Sequence, residues 1–384
     1  MIWKNSTLSD ISRIGDGAHA SLKRVDSGIP YLTAKNITKS GVDYSNMDYI
    51  SEETYNKHFK EKSNALTQPK TDDILYSIIG TIGGVYVVRD EKIGISSSVA
   101  IFRSDCEKVL PHYLAYFLKS SSFDAQVQAI KGGVAQGFMS LEKLGTVNIT
   151  YPEDIEYQKR IVDVLFAYDS LIENNQKQIK LLEEAAQRLY KEWFVDLNFP
   201  GYEDVKIVDG LPEGWKKLPL PKIAPIVTGK KDANFATENG QYLFFTCAQE
   251  PIKAPSYSFD CDAVILAGNG DFNVKLYRGQ FEAYQRTYVF SPYDSNNLYL
   301  LYHAVKNNMR QLFQGASGST IKFLTKRMLE EIMIYIPDGN TLKTFTKYCE
   351  SYQKKIEILN KQITFAKEAR DRLLPKLMNG EIEV

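Results

Sequence analysis

The stretch DIEYQKRIVDVLFAYDSLIENNQKQIKLLEEAAQRLYKEW, residues 154–193, decides how the rest of the chain is arranged. Apolar or small side chains recur there at Ile161, Leu165, Tyr168, Ile172, Ile179, Leu182, Ala186, Leu189 and Trp193. The steps alternate between four and three, with Asn175 in the one open slot. That is a heptad seam, narrower than the stripe of a helix lying on a globular core. A single helix cannot bury such a seam, so a partner helix is predicted. Pro152-Glu153-Asp154 suits the helix start, where free N–H groups and the dipole favour negative charge. Asn198-Phe199-Pro200-Gly201 marks its stop.

The partner lies further along the sequence. Ile172, Gln178, Ile179, Glu184, Ala185, Arg188 and Leu189 recur at one constant offset as Ile356, Gln362, Ile363, Glu368, Ala369, Arg372 and Leu373. The second seam runs Leu342, Phe345, Cys349, Tyr352, Ile356, Leu359, Ile363, Ala366, Leu373 and Leu377, with Arg370 as its polar exception. Asn175 falls on Leu359 by this repeat. The two polar residues have two readings: solvated, frayed parts of the seam, or register-setting groups that cost stability.

Each long helix is flanked by a strand-rich block, and the blocks also echo one another. Gly133, Phe138, Leu144, Ile149 and Pro152 recur as Gly318, Phe323, Leu329, Ile334 and Pro337, and Tyr113, Leu114 and Tyr116 match Tyr299, Leu300 and Tyr302 with one residue of slippage. The first block has β-type runs at Ile29 to Ala34, Ile74 to Val88 and Val99 to Phe102. A helix-patterned stretch, Pro111 to Leu118, follows, then a Gly-rich loop, Lys131 to Phe138, and a last strand, Val147 to Tyr151. The expected organisation is globule, helix, globule, helix over residues 1–152, 153–200, 201–337 and 338–384. The fold class is α+β: two globules related by a pseudo-two-fold, separated by a long antiparallel two-helix coiled coil. Short linkers bring the end of the first helix near the start of the second, which is what makes the pair antiparallel. At 1.5 Å per residue each helix is about 55 Å long. Such a pair is a ruler.

Composition narrows the function classes. The chain has 384 residues, 43% hydrophobic and 24% charged, enough for two or three domains with buried cores. Cys106, Cys247, Cys261 and Cys349 are scattered without C-x-x-C or paired His spacing. They read as reduced, mostly buried thiols of a cytoplasmic protein. The first residues lack an apolar signal-peptide core, and Ile74 to Val88 is too short and broken to span a bilayer. Two buried strands around a turn is the reading there. No phosphate loop, H-E-x-x-H or G-x-S-x-G motif occurs, the four histidines are dispersed, and the Asn-Pro-Pro-aromatic motif of DNA methyltransferases is missing. Gly80-Thr81-Ile82-Gly83-Gly84 sits inside an apolar strand pair and reads as a tight hairpin. The chain is expected to be no enzyme by itself, with no metal or cofactor site of its own.

The formal net charge is zero, but its distribution is uneven. Residues 153–200 carry −4, whereas 1–152 and 201–337 each carry +1 and 338–384 carry +2. Acid is concentrated on the first long helix, so any nucleic-acid surface is expected on the globules. Their predicted loops hold Lys23, Arg24, Lys35, Asn36 and Gln136 in the first globule. The second holds Lys230, Lys231, Asn269, Asn273, Lys275, Gln285, Arg286, Ser319, Thr320 and Lys322. These side chains can donate to phosphates and base edges, and equally they suit solvated turns.

Four stretches carry a family resemblance. Gly28 to Ile37, with Asp73-Ile74-Leu75 and Gly80 to Gly83, resembles one class of target-recognition domain. Leu211-Pro212-Glu213-Gly214-Trp215, Phe244 to Cys247, Ala267 to Gly270 and Phe281 to Tyr288 resemble a second class. Leu189-Tyr190-Lys191-Glu192-Trp193-Phe194 and Arg370 to Ile382 resemble the central and distal conserved regions of type I restriction–modification specificity (S) subunits. The resemblance covers the whole chain. It implies double-stranded DNA as ligand, each globule reading half of a bipartite target. It also implies two methyltransferase (modification) subunits and restriction (translocase/endonuclease) subunits as partners, which carry S-adenosylmethionine, ATP and Mg. The repeat is weak in the globule centres, so the half-sites should differ, with centres about one helical turn, ~10 bp, apart. The rival from another class is a coiled-coil scaffold or inhibitor that binds a protein and no DNA; a nuclease with a cryptic site is a more distant one.

Overall fold

The computed structural model describes residues 2–38, 41–44, 46–61, 65–80, 82–131, 138–318 and 322–384. The chain folds into two compact units, residues 1–174 with 362–384 and residues 175–361. Two long helices, Ile155–Tyr190 and Gly339–Met378, are each shared between them.

Both helices begin on an aspartate, at equivalent places in the repeat. The Asp154 carboxylate accepts from Glu156 N at 3.0 Å. The Asp338 carboxylate accepts from Asn340 N at 2.9 Å, Thr341 N at 3.0 Å and Thr341 Oγ1 at 2.6 Å. Free N–H groups of the first turn are thereby satisfied. The first helix ends in a wider turn, Lys191–Val195, where Asp196 N reaches back to Lys191 O at 2.9 Å.

Strand Trp3–Thr7 pairs antiparallel with Asn148–Pro152 in the first unit, as Lys216–Pro219 does with Met333–Ile336 in the second. A helix follows the same logic in each, Pro111–Leu118 and Leu298–Gly315, as does a short helix, Leu141–Gly145 and Lys326–Glu330. This frame is the repeat. Between its parts the units differ. The first contains an antiparallel sheet ordered Ser12–Asp16, Val99–Ser104, Ile74–Ser77, Val85–Val87. Beside it is a three-stranded sheet ordered Asp48–Ile50, Ile29–Leu32, Gly94–Ile95. The second has one six-stranded sheet, ordered Val227–Thr228, Thr287–Phe290, Phe259–Ala267, Val274–Ala283, Tyr242–Phe245, Ile252–Ala254. The structure is therefore α+β, with a common frame around unlike centres.

Within each unit the halves of the long helices pack on the globule and on each other. In the first, Ile161 and Leu165 share a core with Leu374, Leu377, Tyr113 and Phe117. In the second, Tyr190, Trp193 and Phe194 share one with Phe345, Cys349, Leu300 and Leu301. Buried apolar area of this kind supplies most of the favourable folding energy, about 25 cal/mol per Å².

The predicted seam is shallower than a continuous dry strip. Ile161, Leu165, Ile172, Leu359 and Ile363 are buried, while Tyr168, Ile179, Leu182, Leu189, Tyr352, Ile356 and Leu373 are half-exposed. Near its distal end the deepest positions are Leu374 and Leu377, one residue around from Leu373. Neither polar seam residue is frayed. Asn175 is 2% exposed, and Arg370 Nη1 donates to Asp169 Oδ1 at 2.6 Å with both side chains 25% exposed. The thiols correct another expectation: only Cys349 is buried, Cys247 and Cys261 are half-buried, and Cys106 is exposed. None forms a disulfide among the described residues.

Candidate nucleic-acid interface

In the first unit the predicted polar residues divide into held and exposed groups. Arg24 Nε donates to Asp48 Oδ2 at 2.9 Å and Nη1 to Leu22 O at 2.8 Å, with its guanidinium 4.1 Å from the centre of the Tyr31 ring. Asn36 is buried. Its Oδ1 accepts from Thr33 N at 2.9 Å and Thr33 Oγ1 at 3.0 Å, and its Nδ2 faces Asp43 O at 3.3 Å and Asn46 O at 3.4 Å. Every hydrogen-bonding site of that amide is used to shape its own turn. As a DNA-contacting residue Asn36 is corrected to a structural one. Lys23 and Lys35 are exposed. Gln136 lies outside the described residues.

The second unit gathers its predicted residues onto one rim. The turn Tyr284-Gln285-Arg286-Thr287 is closed by Thr287 N donating to Tyr284 O at 2.8 Å. Segments from four other places meet it. Tyr284 N donates to Phe245 O at 2.9 Å, Gln285 N to Lys231 O at 2.9 Å, Gly229 N to Thr287 O at 3.1 Å and Gly268 N to Arg286 O at 2.8 Å. Gly268 is in turn bonded by Leu324 N, and Gly270 N reaches Lys322 O at 3.3 Å. Lys230, Lys231, Asn269, Asn273, Lys275, Gln285, Arg286 and Lys322 thus belong to one neighbourhood. Ser319 and Thr320 lie outside the described residues.

Several of these side chains turn inward. Gln285 Nε2 donates to Asp232 Oδ2 at 2.9 Å. Asn273 Nδ2 reaches Asp271 O at 2.7 Å and Cys247 O at 3.2 Å. Lys275 Nζ donates to Ala248 O at 2.9 Å and to Asn273 Oδ1, and burial pushes its ammonium pKa below the usual value. Lys231 Nζ sits 4.3 Å over the Phe235 ring and Lys322 Nζ 4.1 Å over Phe313. Lys230 and Arg286 are exposed, with no hydrogen bond or ion pair to either side chain among the described residues.

Two apolar features were missed by charge-based reading. Asn269 pairs with Phe323 in the second unit, and Ile79 pairs with Phe138 at the equivalent place in the first. Phe138 is 54% exposed, Ile79 39% and Phe323 38%. The repeat had already aligned Phe138 with Phe323; only their exposure was hidden. Among the described residues no cluster of three His, Cys, Asp or Glu side chains is placed to hold a metal ion, and no helix is long and apolar enough to cross a membrane.

A frame repeated twice around different centres, with a polar rim on the second, defines a class of two-part recognition proteins. The family model for the type I restriction modification DNA specificity domain matches residues 2–184 and again 212–366, and the chain belongs to that family. The EcoDI specificity subunit of Escherichia coli is 36% identical over 179 residues, covering 45% of this chain and 39% of that protein. The MjaIX specificity subunit of Methanocaldococcus jannaschii is 26% identical over 418 residues, covering 100% of this chain and 94% of that protein. The chain thus matches well under half the length of the first relative and nearly all of the second. The S subunit of a type I restriction–modification system from M. genitalium shares the fold, with a TM-score of 0.55 at 16% identity over 98% of this chain and 96% of that one.

Proposed function

We propose that this chain is the DNA sequence-recognition subunit of a type I restriction–modification complex, acting in the cytoplasm and without catalysis of its own. Each unit reads one half of an asymmetric bipartite target, and the two long helices set the spacing between halves. The observation that carries this reading is the family frame built twice around unlike sheets. Identical frames suit a common task, and unlike centres suit unlike half-sites. The basic rim of the second unit supports DNA as the ligand through phosphate contacts and base-edge donors.

Two methyltransferase subunits dock on the helices in this reading, and restriction subunits join for cleavage. Exposed apolar side chains on the helices support docking: Phe166, Leu171 and Phe365 in the first unit, Leu181, Tyr348 and Ile358 in the second. S-adenosylmethionine, ATP and Mg²⁺ belong to those partners. Because this chain has no net positive charge, much of the phosphate neutralisation falls to them as well.

Co-expression with the cognate methyltransferase, followed by genome-wide mapping of methylated bases, tests the proposal. The expected result is one split motif with two different halves. Absence of methylation despite a stable complex, or a continuous motif, would contradict it.

A further inference from the structure

The rim of the second unit holds one side chain in an arrangement that its neighbours do not share. The turn carrying Arg286 is fixed from every side by backbone bonds to the segments at Phe245, Lys231, Gly229 and Gly268. Two of these approaches leave no room for a side chain. A Cβ on Gly268 would lie 2.4 Å from Arg286 O, and one on Gly229 would lie 1.9 Å from Ala283 O. Cys247 Sγ also points at Arg286 O, at 3.8 Å. Around the turn, Gln285 is spent on Asp232, and Thr287 is fully buried. Arg286 is exposed.

A rigid backbone that presents a solvent-facing guanidinium is more than a phosphate contact requires. Phosphate oxygens line the whole duplex and accept a cation from many directions, so a flexible lysine serves. Reading a base edge needs two donors at fixed spacing on a held backbone, because a displacement of about 1 Å loses the pairing. The arginine fork matches O6 and N7 of guanine in the major groove, which no other base presents as two adjacent acceptors.

We infer that Arg286 reads a guanine in the half-site recognised by residues 175–361, while Lys230, its unconstrained neighbour on the rim, contacts phosphate. The inference rests on the proposed function above and adds a base and a residue to it.

The test uses the full-length chain in complex with its methyltransferase, with methylation mapped at every genomic site for wild type, Arg286→Gln, Arg286→Lys and Lys230→Gln. Both Arg286 variants should lose discrimination at a single guanine position of one half-site by roughly 10- to 100-fold, with the other half-site unchanged. Lysine keeps the charge but not the fork, so it should not rescue. Lys230→Gln should weaken methylation evenly and leave the motif intact, with a shallower salt dependence of binding. Assembly is checked by co-purification, and Arg286→Lys serves where the glutamine variant does not assemble. An unchanged motif in Arg286→Lys, or an even loss across all positions, would overturn the assignment of Arg286 alone. A wild-type complex with no split motif would instead sink the functional reading beneath it.

Discussion

At the scale of single residues, two buried polar contacts tie the long helices to the globules, and they differ between units. In the first, Asp169 accepts from Arg370 Nη1 at 2.6 Å and from Tyr116 Oη at 2.8 Å. In the second, His303 Nδ1 lies 3.0 Å from Gln187 Oε1. Because an amide oxygen only accepts, that nitrogen carries the ring proton. Burial pushes the His303 pKa down to about 3, from 6.5. An unfolded chain would take up a proton near pH 6.5 that the folded chain refuses. The contribution is therefore complete above about 6.5 and is lost as pH falls toward 3, with a slope of up to about 1.4 kcal/mol per pH unit. Urea unfolding at pH 7.5 and 5.0 should show a smaller loss of stability for His303→Gln than for wild type; an equal loss would remove His303 from the account. For the other contact, Arg370→Met leaves Asp169 half-buried without its cation and should cost about 1–3 kcal/mol. A double-mutant cycle with Asp169→Asn should recover a large part of that cost, and simple additivity of the two changes would argue against a specific pair. Neither contact was legible in the sequence. Arg370 stood out as a polar residue in an apolar seam, but its partner Asp169 sits just past Tyr168, outside the seam positions. Asn36 failed for a related reason: residue type suggests a donor to DNA, and only coordinates reveal that its turn consumes the whole amide.

At the scale of elements, periodicity was a good guide wherever one face alone is buried. It located both long helices, and it placed helix Pro111–Leu118 and the hairpin of Ile74–Ser77 with Val85–Val87. Local pattern could not foresee the six-stranded sheet. Its pairings join segments far apart in sequence, including the parallel pair of Tyr242–Phe245 with Val274–Ala283. The same limit hid the rim: its residues were named singly, and their convergence depends on turns that meet only after the sheet has formed. The seam itself makes a quantitative contrast. Leu165 is fully buried among side chains of its unit, whereas Leu181 on the same helix is 64% exposed. Leu165→Ala should destabilise by about 2–5 kcal/mol and Leu181→Ala by less than about 0.5 kcal/mol. Guanidinium unfolding of the two variants checks this, and a Leu181→Ala loss as large as that of Leu165→Ala would mean the seam is misassigned.

At the scale of the whole molecule, the claim is that recognition is modular and that the helices count distance. One heptad inserted at matched places in both long helices adds roughly 10 Å, or about 3 bp at 3.4 Å per base pair. The methylated motif should keep both halves and gain about that many unspecified bases, whereas an unchanged spacer would refute the helices as its determinant. Modularity has the more direct test. Residues 1–152 are exchanged for the matching segment of a specificity subunit with a different target, the chimera is co-expressed with the same methyltransferase, and methylated bases are mapped across the genome. The account predicts a split motif in which one half is replaced and the other, with its guanine position, is retained. A motif that does not change, or one in which both halves change together, would contradict it.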